Sequence, residues 1–348
     1  MRIMPFIATF CLTAGMVVAT VAHAEDEKVV VYNWAEYIPQ AVLDDFSKAT
    51  GIKVEYSTYE NNEVMHAKLK LQKGKGYDIV VPSTYLVSQM RDEGLLQKID
   101  QNKLSNLHNL SISLMNKPYD PGNQYSIPYL WGSTGIAVNS KVIDPATITA
   151  WADLWDSKWQ GQLLLLDDVR EVFGMALKKN GFSANSTNPQ ELQKAYEDLQ
   201  KLMPNVRVFN ADAPREPFLA GDVNVGMIWS GEAMMAQKEN PDIKYIYPKE
   251  GAGFWVDSFT IPVGAEHVDN AHKFIDYMLK PDVSKKIMEE LGYNSPNGAT
   301  RELVDASVRS NPVLFPPAEA IDKGEFQKDI GTAIKTYEGY WEKLKASQ

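Results

Sequence analysis

The chain has 348 residues, 44% of them hydrophobic, with 35 Lys and Arg against 45 Asp and Glu, a formal net charge of −10. An acidic surface of this kind is wrong for nucleic acid, whose phosphates demand the opposite sign, and suits the attraction of small cations. Cys11 is the only cysteine, so a disulfide framework and a Cys-ligated zinc are excluded.

Residues 1–24, MRIMPFIATFCLTAGMVVATVAHA, place Arg2 before an uncharged apolar run that ends in Ala22-His23-Ala24. This is the pattern of a cleaved secretory signal, and it predicts a mature N-terminus at Glu25 and an exported protein. The apolar run is near the short end for a membrane span, and bulky Phe10 before Cys11 does not suit a lipidation site. Cys11 leaves with the leader, so a thiol nucleophile is excluded as well.

The remaining chain is long enough for two domains. VVVYNW (29–34) reads as a strand, PQAVLDDFSKATG (39–51) as a helix closing on Gly51, and IKVEYST (52–58) as the next strand. NEVMHAKLKLQ is then a helix, YDIVVPS a strand and YLVSQMRDEGLLQ another helix. This alternation predicts an α/β fold with mainly parallel sheets flanked by helices. Ligands gather at the carboxyl ends of strands in such sheets, which is where Trp34, Ser83 and Tyr85 fall.

After PYLWGSTGIAVN (128–139) the rhythm resumes. QLLLLDD (162–168) runs into the helix DVREVFGMALKKN, followed by VRVFN, the strand VNVGMIWSG (223–231), the helix EAMMAQKEN and IKYIYP. WVDSFTIPV (255–263) then leads away to the long helical stretch HVDNAHKFIDYMLKPDVSKKIMEELG. The expected organisation is a first lobe of residues 25–132 plus about 258–315 and a second of 133–257 plus about 316–348, with the ligand in the cleft between them.

Catalytic and cofactor motifs are scarce. His66, His108, His267 and His272 show no HxH or HExxH spacing, and neither GxSxG nor GxxxxGK[ST] occurs; no metal, no cofactor and no enzyme activity are expected. KGKG (73–76) and GAG (251–253) read as turns. Asp168 and Glu171, three apart at a helix start, could form an acid/base pair on one face or could serve the helix terminus, Asp168 as its cap.

Trp34, Tyr37, Tyr85, Trp229, Trp255 and Tyr293 each sit beside a loop or strand end. Together with Asp168, Glu171 and Asp257 they read as an aromatic box with carboxylates, which suits a long apolar chain carrying ammonium groups. Aromatic residues also pack cores. Trp151, Trp155 and Trp159 recur every four residues and are expected to stripe one helix face inside the second lobe; Tyr337, Tyr340 and Trp341 invite the same core reading. DKGEFQKD (322–329) reads as a solvated charged surface.

NWAEYIP, GIKVEYSTYENNEVMHAKLK, YDIVVPSTY, YSIPYLWGSTGIAVN, LLLLDDVREVFGMALKK, GMIWSGEA, FWVDSFTIP and LGYNSPN, in that order, resemble the periplasmic spermidine/putrescine-binding proteins of polyamine ABC importers. The likeness runs from about residue 28 to the C-terminal helix. It implies a two-lobed periplasmic binding protein of type II, a monomer that closes on its polyamine ligand and delivers it to the permease in the inner membrane. It also implies that Trp34, Tyr37, Tyr85, Trp229, Trp255 and Tyr293 contact the methylene chain and flank the ammonium groups. Asp168 and Glu171 would hold a primary ammonium, Asp257 the internal secondary one, and Ser83 and Gln327 would contact the ligand from other sides.

Two positions depart from the family pattern: Ala35 stands where a Thr or Ser is common, and Ala211 where a Ser is common. Each removes an oxygen acceptor, worth a net hydrogen bond of about 0.5–1.5 kcal/mol, enough to reorder spermidine and putrescine. The competing readings are a receptor for another cation such as ferric iron or a different amine, and an exported glycoside hydrolase using Asp168 and Glu171.

Overall fold

The computed structural model describes residues 27–346; the expected leader, its cleavage site and Cys11 lie outside the described residues. Among the described residues ten strands form one sheet: β1 Lys28–Trp34, β2 Lys53–Tyr59, β3 Ile79–Val80, β4 Ser126–Asn139, β5 Leu163–Leu165, β6 Val206–Phe209, β7 Val225–Trp229, β8 Ile243–Ile246, β9 Gly253–Thr260 and β10 Glu325–Phe326. The helices are α1 Gln40–Thr50, α2 Asn62–Leu71, α3 Thr84–Asp92, α4 Val169–Lys179, α5 Pro189–Leu202, α6 Glu216–Leu219, α7 Ser230–Glu239, α8 Val268–Met278, α9 Pro281–Leu291, α10 Gly298–Leu303, α11 Ala306–Arg309, α12 Ala318–Lys323 and α13 Ile334–Lys345.

The local reasons are ordinary ones. In α1 the residues Val42, Leu43 and Phe46 share one buried face, and Gly51 ends the helix at φ 76°, its N–H donating to Ser47 O. Glycine takes that left-handed conformation without a Cβ clash. In α2 the Asn61 side chain accepts from Val64 N and caps the first turn.

The strand order is β2-β1-β3-β9-β4-β7-β5-β6, with β10 on β9 and β8 on β4. β2, β1 and β3 form a parallel flank, as do β7, β5 and β6. At the centre β9 and β4 run antiparallel to each other and to β3 and β7. β4 pairs with β9 over Ser126–Thr134 and with β7 and β8 over its later residues. One strand therefore passes between two cores. Ile127 and Leu130 belong to the first, with Phe46, Phe259 and Phe274, whereas Ile136 and Val138 belong to the second, with Trp151, Phe173 and Tyr337. Each fully buried apolar side chain of this size contributes about 1.5–3 kcal/mol, so each lobe has its own source of stability. The fold is the two-lobed α/β architecture expected of the chain.

Three expectations are corrected. Trp151, Trp155 and Trp159 do not stripe an α-helix; they lie on two 3₁₀ turns, Trp151–Trp155 and Ser157–Trp159. They still serve the second core, Trp151 and Trp159 buried and Trp155 packed against it, because each indole N–H finds a carbonyl: Gly251, Asp198 and Asp153 respectively. The long helical stretch after residue 267 is two helices, α8 and α9, since Pro281 has no N–H to continue α8 and starts a new helix at its first position. DKGEFQKD is only partly solvated: β10 adds to β9, with Gln327 N donating to Phe254 O and Phe326 packing on Phe254. An edge left open on β9 would strand backbone polar groups.

Candidate functional site

The ends of β1, β7 and β9, the turn before α3 and the start of α4 converge on a cleft cavity. Trp34 closes β1, its Nε1 donating to Val81 O at 3.0 Å and its ring packing on Tyr59 at 4.8 Å. Opposite stands Trp229, the last residue of β7, with ring centroids 6.2 Å apart. Further along the wall Tyr37, Tyr293 and Trp255 meet edge to face, at 5.3 Å and 5.4 Å. Such pairs contribute about 0.5–1.5 kcal/mol beyond their burial and hold the rings in place.

Two glycines make room for these rings. A Cβ on Gly132 would sit 2.6 Å from the Trp255 ring, and one on Gly231 would sit 2.3 Å from Tyr293. Both distances are far inside contact, so the backbone of β4 and the first turn of α7 can lie against the wall only without side chains.

The carboxylates are spaced along this wall. Asp168 is the N-cap of α4: its Oδ1 accepts from Arg170 N at 2.9 Å and Glu171 N at 3.0 Å, which leaves Oδ2 free. Glu171 accepts from Gln327 Nε2 at 3.0 Å. Burial raises both carboxyl pKa values, and the Asp168 charge pushes Glu171 up further. Both cavity acids are costly to ionise in the absence of a cation.

Asp257, in β9, receives Ser83 Oγ at 2.6 Å and the Tyr37 hydroxyl at 2.7 Å, one on each oxygen. Burial raises its carboxyl to about 7 although both donors favour the ionised form. Burial, then the Asp257 charge, pushes the Tyr37 phenol well above its ordinary value, so it remains a donor.

All of the residues singled out from the sequence line this cavity except Tyr85. Ser83 is the N-cap of α3 and faces inward, whereas Tyr85, two helical steps of about 100° further on, is carried around the helix. Its hydroxyl donates to Glu63 Oε1 at 2.9 Å and its ring lies beneath the Arg170 guanidinium at 4.6 Å. Burial and the charge of Asp168 raise the Glu63 carboxyl. Tyr85 thus contacts Glu63 and Arg170, the latter on the helix that Asp168 caps.

The cavity also contains residues that sequence reading did not single out as acceptors: Glu36, Tyr59, Asp212 and Glu232, together with Ala35 and Ala211 at the positions that depart from the family pattern. Arg215 joins two of the acids, donating from Nη2 to Glu36 Oε2 at 2.6 Å and from Nη1 to both oxygens of Glu232 at 3.1 Å. Burial raises the Glu232 carboxyl to about 7, with Arg215 opposing. Glu36 itself adopts φ 47°, an uncommon left-handed conformation for a residue other than glycine, in the turn that follows β1. Glu36 and Glu232 fall inside the motifs NWAEYIP and GMIWSGEA, yet an acid in the first turn of α7 reads from sequence as an ordinary partner of the helix dipole.

Among the described residues no group of three or more His, Cys, Asp and Glu is arranged to hold a metal ion. The arrangement offers stacked aromatic faces for methylene or cationic groups and buried acceptors at separated points. Such a site can hold an elongated cation.

Residues 41–316 match the family model described as bacterial extracellular solute-binding protein. The chain is 51% identical over 343 residues to the spermidine/putrescine-binding periplasmic protein of Salmonella typhimurium, covering 98% of each, and 50% identical, with the same coverage, to that of Escherichia coli. Among solved structures it is similar to a putative spermidine/putrescine ABC transporter protein from Listeria monocytogenes, with TM-score 0.88 at 36% identity, covering 92% of this chain and 100% of the other.

Proposed function

We infer the function from a premise now established: the chain belongs to the bacterial extracellular solute-binding proteins, among the periplasmic spermidine/putrescine-binding proteins of polyamine ABC importers. It is a substrate-binding protein that captures spermidine and putrescine in the periplasm and delivers them to an ABC importer. The observation that carries this reading is the cavity itself, where Trp34, Tyr37, Trp229, Trp255 and Tyr293 wall a cleft holding Asp168 and Glu171 at one point and Asp257 at another. Ring faces attract cations by about 0.5–2 kcal/mol each, and carboxylates accept charge-assisted hydrogen bonds from ammonium groups.

In the proposed complex the methylene chain lies along the aromatic wall. Asp168 Oδ2 and Glu171 hold a primary ammonium, with Gln327 orienting Glu171. Asp257 holds the secondary ammonium of spermidine, supported by Ser83 and Tyr37, while Tyr85 acts only through Glu63 and Arg170. With Ala35 and Ala211 in place of hydroxyl side chains, the ranking of spermidine over putrescine rests on the carboxylates. Closure of the lobes, 25–132 with about 258–315 against 133–257 with about 316–348, brings carboxylates and rings from both sides onto the ligand. Two separate cores, β4 contributing to both, support a division of this kind, with Trp255 packing in the first core. The protein acts as a monomer and without turnover.

The competing readings find little support. Iron receptors use tyrosine oxygens as ligands, but here the Tyr37 hydroxyl is committed to Asp257 and held protonated by burial. A glycosidase acid/base pair is disfavoured because one oxygen of Asp168 is committed to capping α4. The test is saturation binding of ligand-stripped protein with putrescine, spermidine and ferric iron, alongside turnover of a panel of glycosides. Saturable binding of the polyamines alone supports the reading; iron binding or glycoside turnover overturns it. Processing is tested separately: osmotic shock should release a protein that begins at Glu25, and retention in the membrane fraction with residues 1–24 intact contradicts export by cleavage.

A further inference from the structure

Arg215 lies between β6 and α6 and does not line the cavity, yet it controls two of the acids that do. Its Nη1 is 3.1 Å from both Glu232 oxygens, its Nη2 is 2.6 Å from Glu36, and its own N–H donates to Glu232 Oε2 at 3.3 Å. The Arg215 and Glu232 side chains are 12% and 6% exposed. Such a fork of charge-assisted bonds is strong where water is excluded, as at Glu232, whereas the arm to Glu36, whose side chain is 53% exposed, is weaker.

The other cationic residue near the site behaves differently. The Arg170 guanidinium donates to Lys328 O and Asn185 Oδ1 and stacks on Tyr85, so it forms no ion pair with Asp168 or Glu171. The acids of the cavity are therefore not equivalent. Those around Asp168, Glu171 and Asp257 await a cation, whereas Glu36 and Glu232 already have one. Tyr293 lies between the two regions, its ring against Gly231, the neighbour of Glu232, and packed edge to face on Tyr37, whose hydroxyl holds Asp257.

We infer that Arg215 is a specificity-determining residue that, by occupying Glu36 and Glu232, denies this end of the cavity to a further ammonium group. A diamine anchored at Asp168 and Glu171 is indifferent to that end, whereas a triamine, with its secondary ammonium at Asp257 and its far ammonium past Tyr293, meets two carboxylates already bridged by one guanidinium instead of two free ones. Because Glu36 follows β1 and Arg215 follows β6, the same bridge also ties the lobes together. Its loss then weakens closure for every ligand alike, and the ratio of two affinities separates the two effects. The inference rests on the polyamine-binding reading.

The experiment is calorimetry of the ligand-stripped full chain with spermidine and with putrescine, for the parent, Arg215→Gln, Arg215→Lys and Glu232→Gln. Arg215→Gln releases two carboxylates, so the ratio of spermidine to putrescine affinity rises about tenfold. Glu232→Gln leaves one guanidinium facing one carboxylate, Glu36, so this end loses its net negative charge and the ratio falls at least about threefold, and Arg215→Lys, which keeps the charge, stays near the parent. A ratio that does not move in Arg215→Gln, or that moves in the same direction in Arg215→Gln and Glu232→Gln, overturns the inference while leaving polyamine binding intact. A parent that binds neither polyamine overturns the functional reading and this inference with it.

Discussion

The indole of Trp34, at the end of β1, meets that of Trp229, at the end of β7, with ring centroids 6.2 Å and planes 75° apart. β1 builds the first core, while β7 supplies Val225 and Met227 to the second. The contact therefore bridges the two cores, and closure of the lobes is proposed to bring it about. If ligand favours that state, adding spermidine to the stripped protein shifts tryptophan emission in a saturable way and contracts the solution scattering radius. Calorimetric binding with neither signal changed would remove lobe closure on these residues from the account.

Proton linkage supplies a second prediction. Asp257 and Glu232 are raised to about 7, and Asp168 and Glu171 are raised as well, all chiefly by burial, against about 4 in an unfolded chain. Over that interval the ligand-free fold binds more protons than the unfolded chain, so its stability is greatest at low pH and is lost as pH rises through about 7. Ligand binding has the opposite dependence, because an ammonium group needs ionised acceptors. Thermal melts between about pH 5 and 8 should show the melting temperature of stripped protein falling, while spermidine affinity rises by up to about tenfold per pH unit for each proton released. An affinity flat across this range contradicts ionisation of these carboxylates on binding.

Gln327 lines the cavity and Tyr85 does not. Gln327→Ala removes a donor to Glu171 and a cavity contact, and should weaken spermidine binding roughly two- to tenfold, the equivalent of about 0.5–1.5 kcal/mol. Tyr85→Phe loses only the hydroxyl that meets Glu63 and should leave affinity within about threefold. Calorimetry that finds Tyr85→Phe the more damaging would mean that the phenol reaches the ligand directly.

Much of the fold can be read along the chain. Local signals such as the apolar face of α1, the Gly51 stop and the β-branched run of β1 are written within a few residues of where they act. The Trp151, Trp155 and Trp159 spacing misled because four-residue recurrence fits a helix face, while indole N–H partners on distant segments held the backbone in 3₁₀ turns. β10 was hidden in charged sequence because its pairing is required by the distant edge of β9. At the candidate site the aromatic and acidic residues stand out by type and position, but the bridge from Glu36 through Arg215 to Glu232 joins residues 179 and 17 apart. No local pattern encodes that distance. Tyr85 does not line the cavity with the others because it lies in the first turn of α3, two residues past Ser83.

Asp257 is where the account is most exposed, since both its oxygens already hold donors from Ser83 and Tyr37 and it is buried among rings that offer no water to a secondary ammonium. Removing one partner of a buried charged pair costs about 2–5 kcal/mol. Calorimetry of the parent and Asp257→Ala with spermidine and with putrescine is the most direct test. Spermidine binding should weaken by roughly thirtyfold to several thousandfold, and putrescine, which has no internal nitrogen, should lose less. An Asp257→Ala protein that keeps the parent circular dichroism and binds spermidine within about threefold of the parent would contradict the proposed role of this carboxylate.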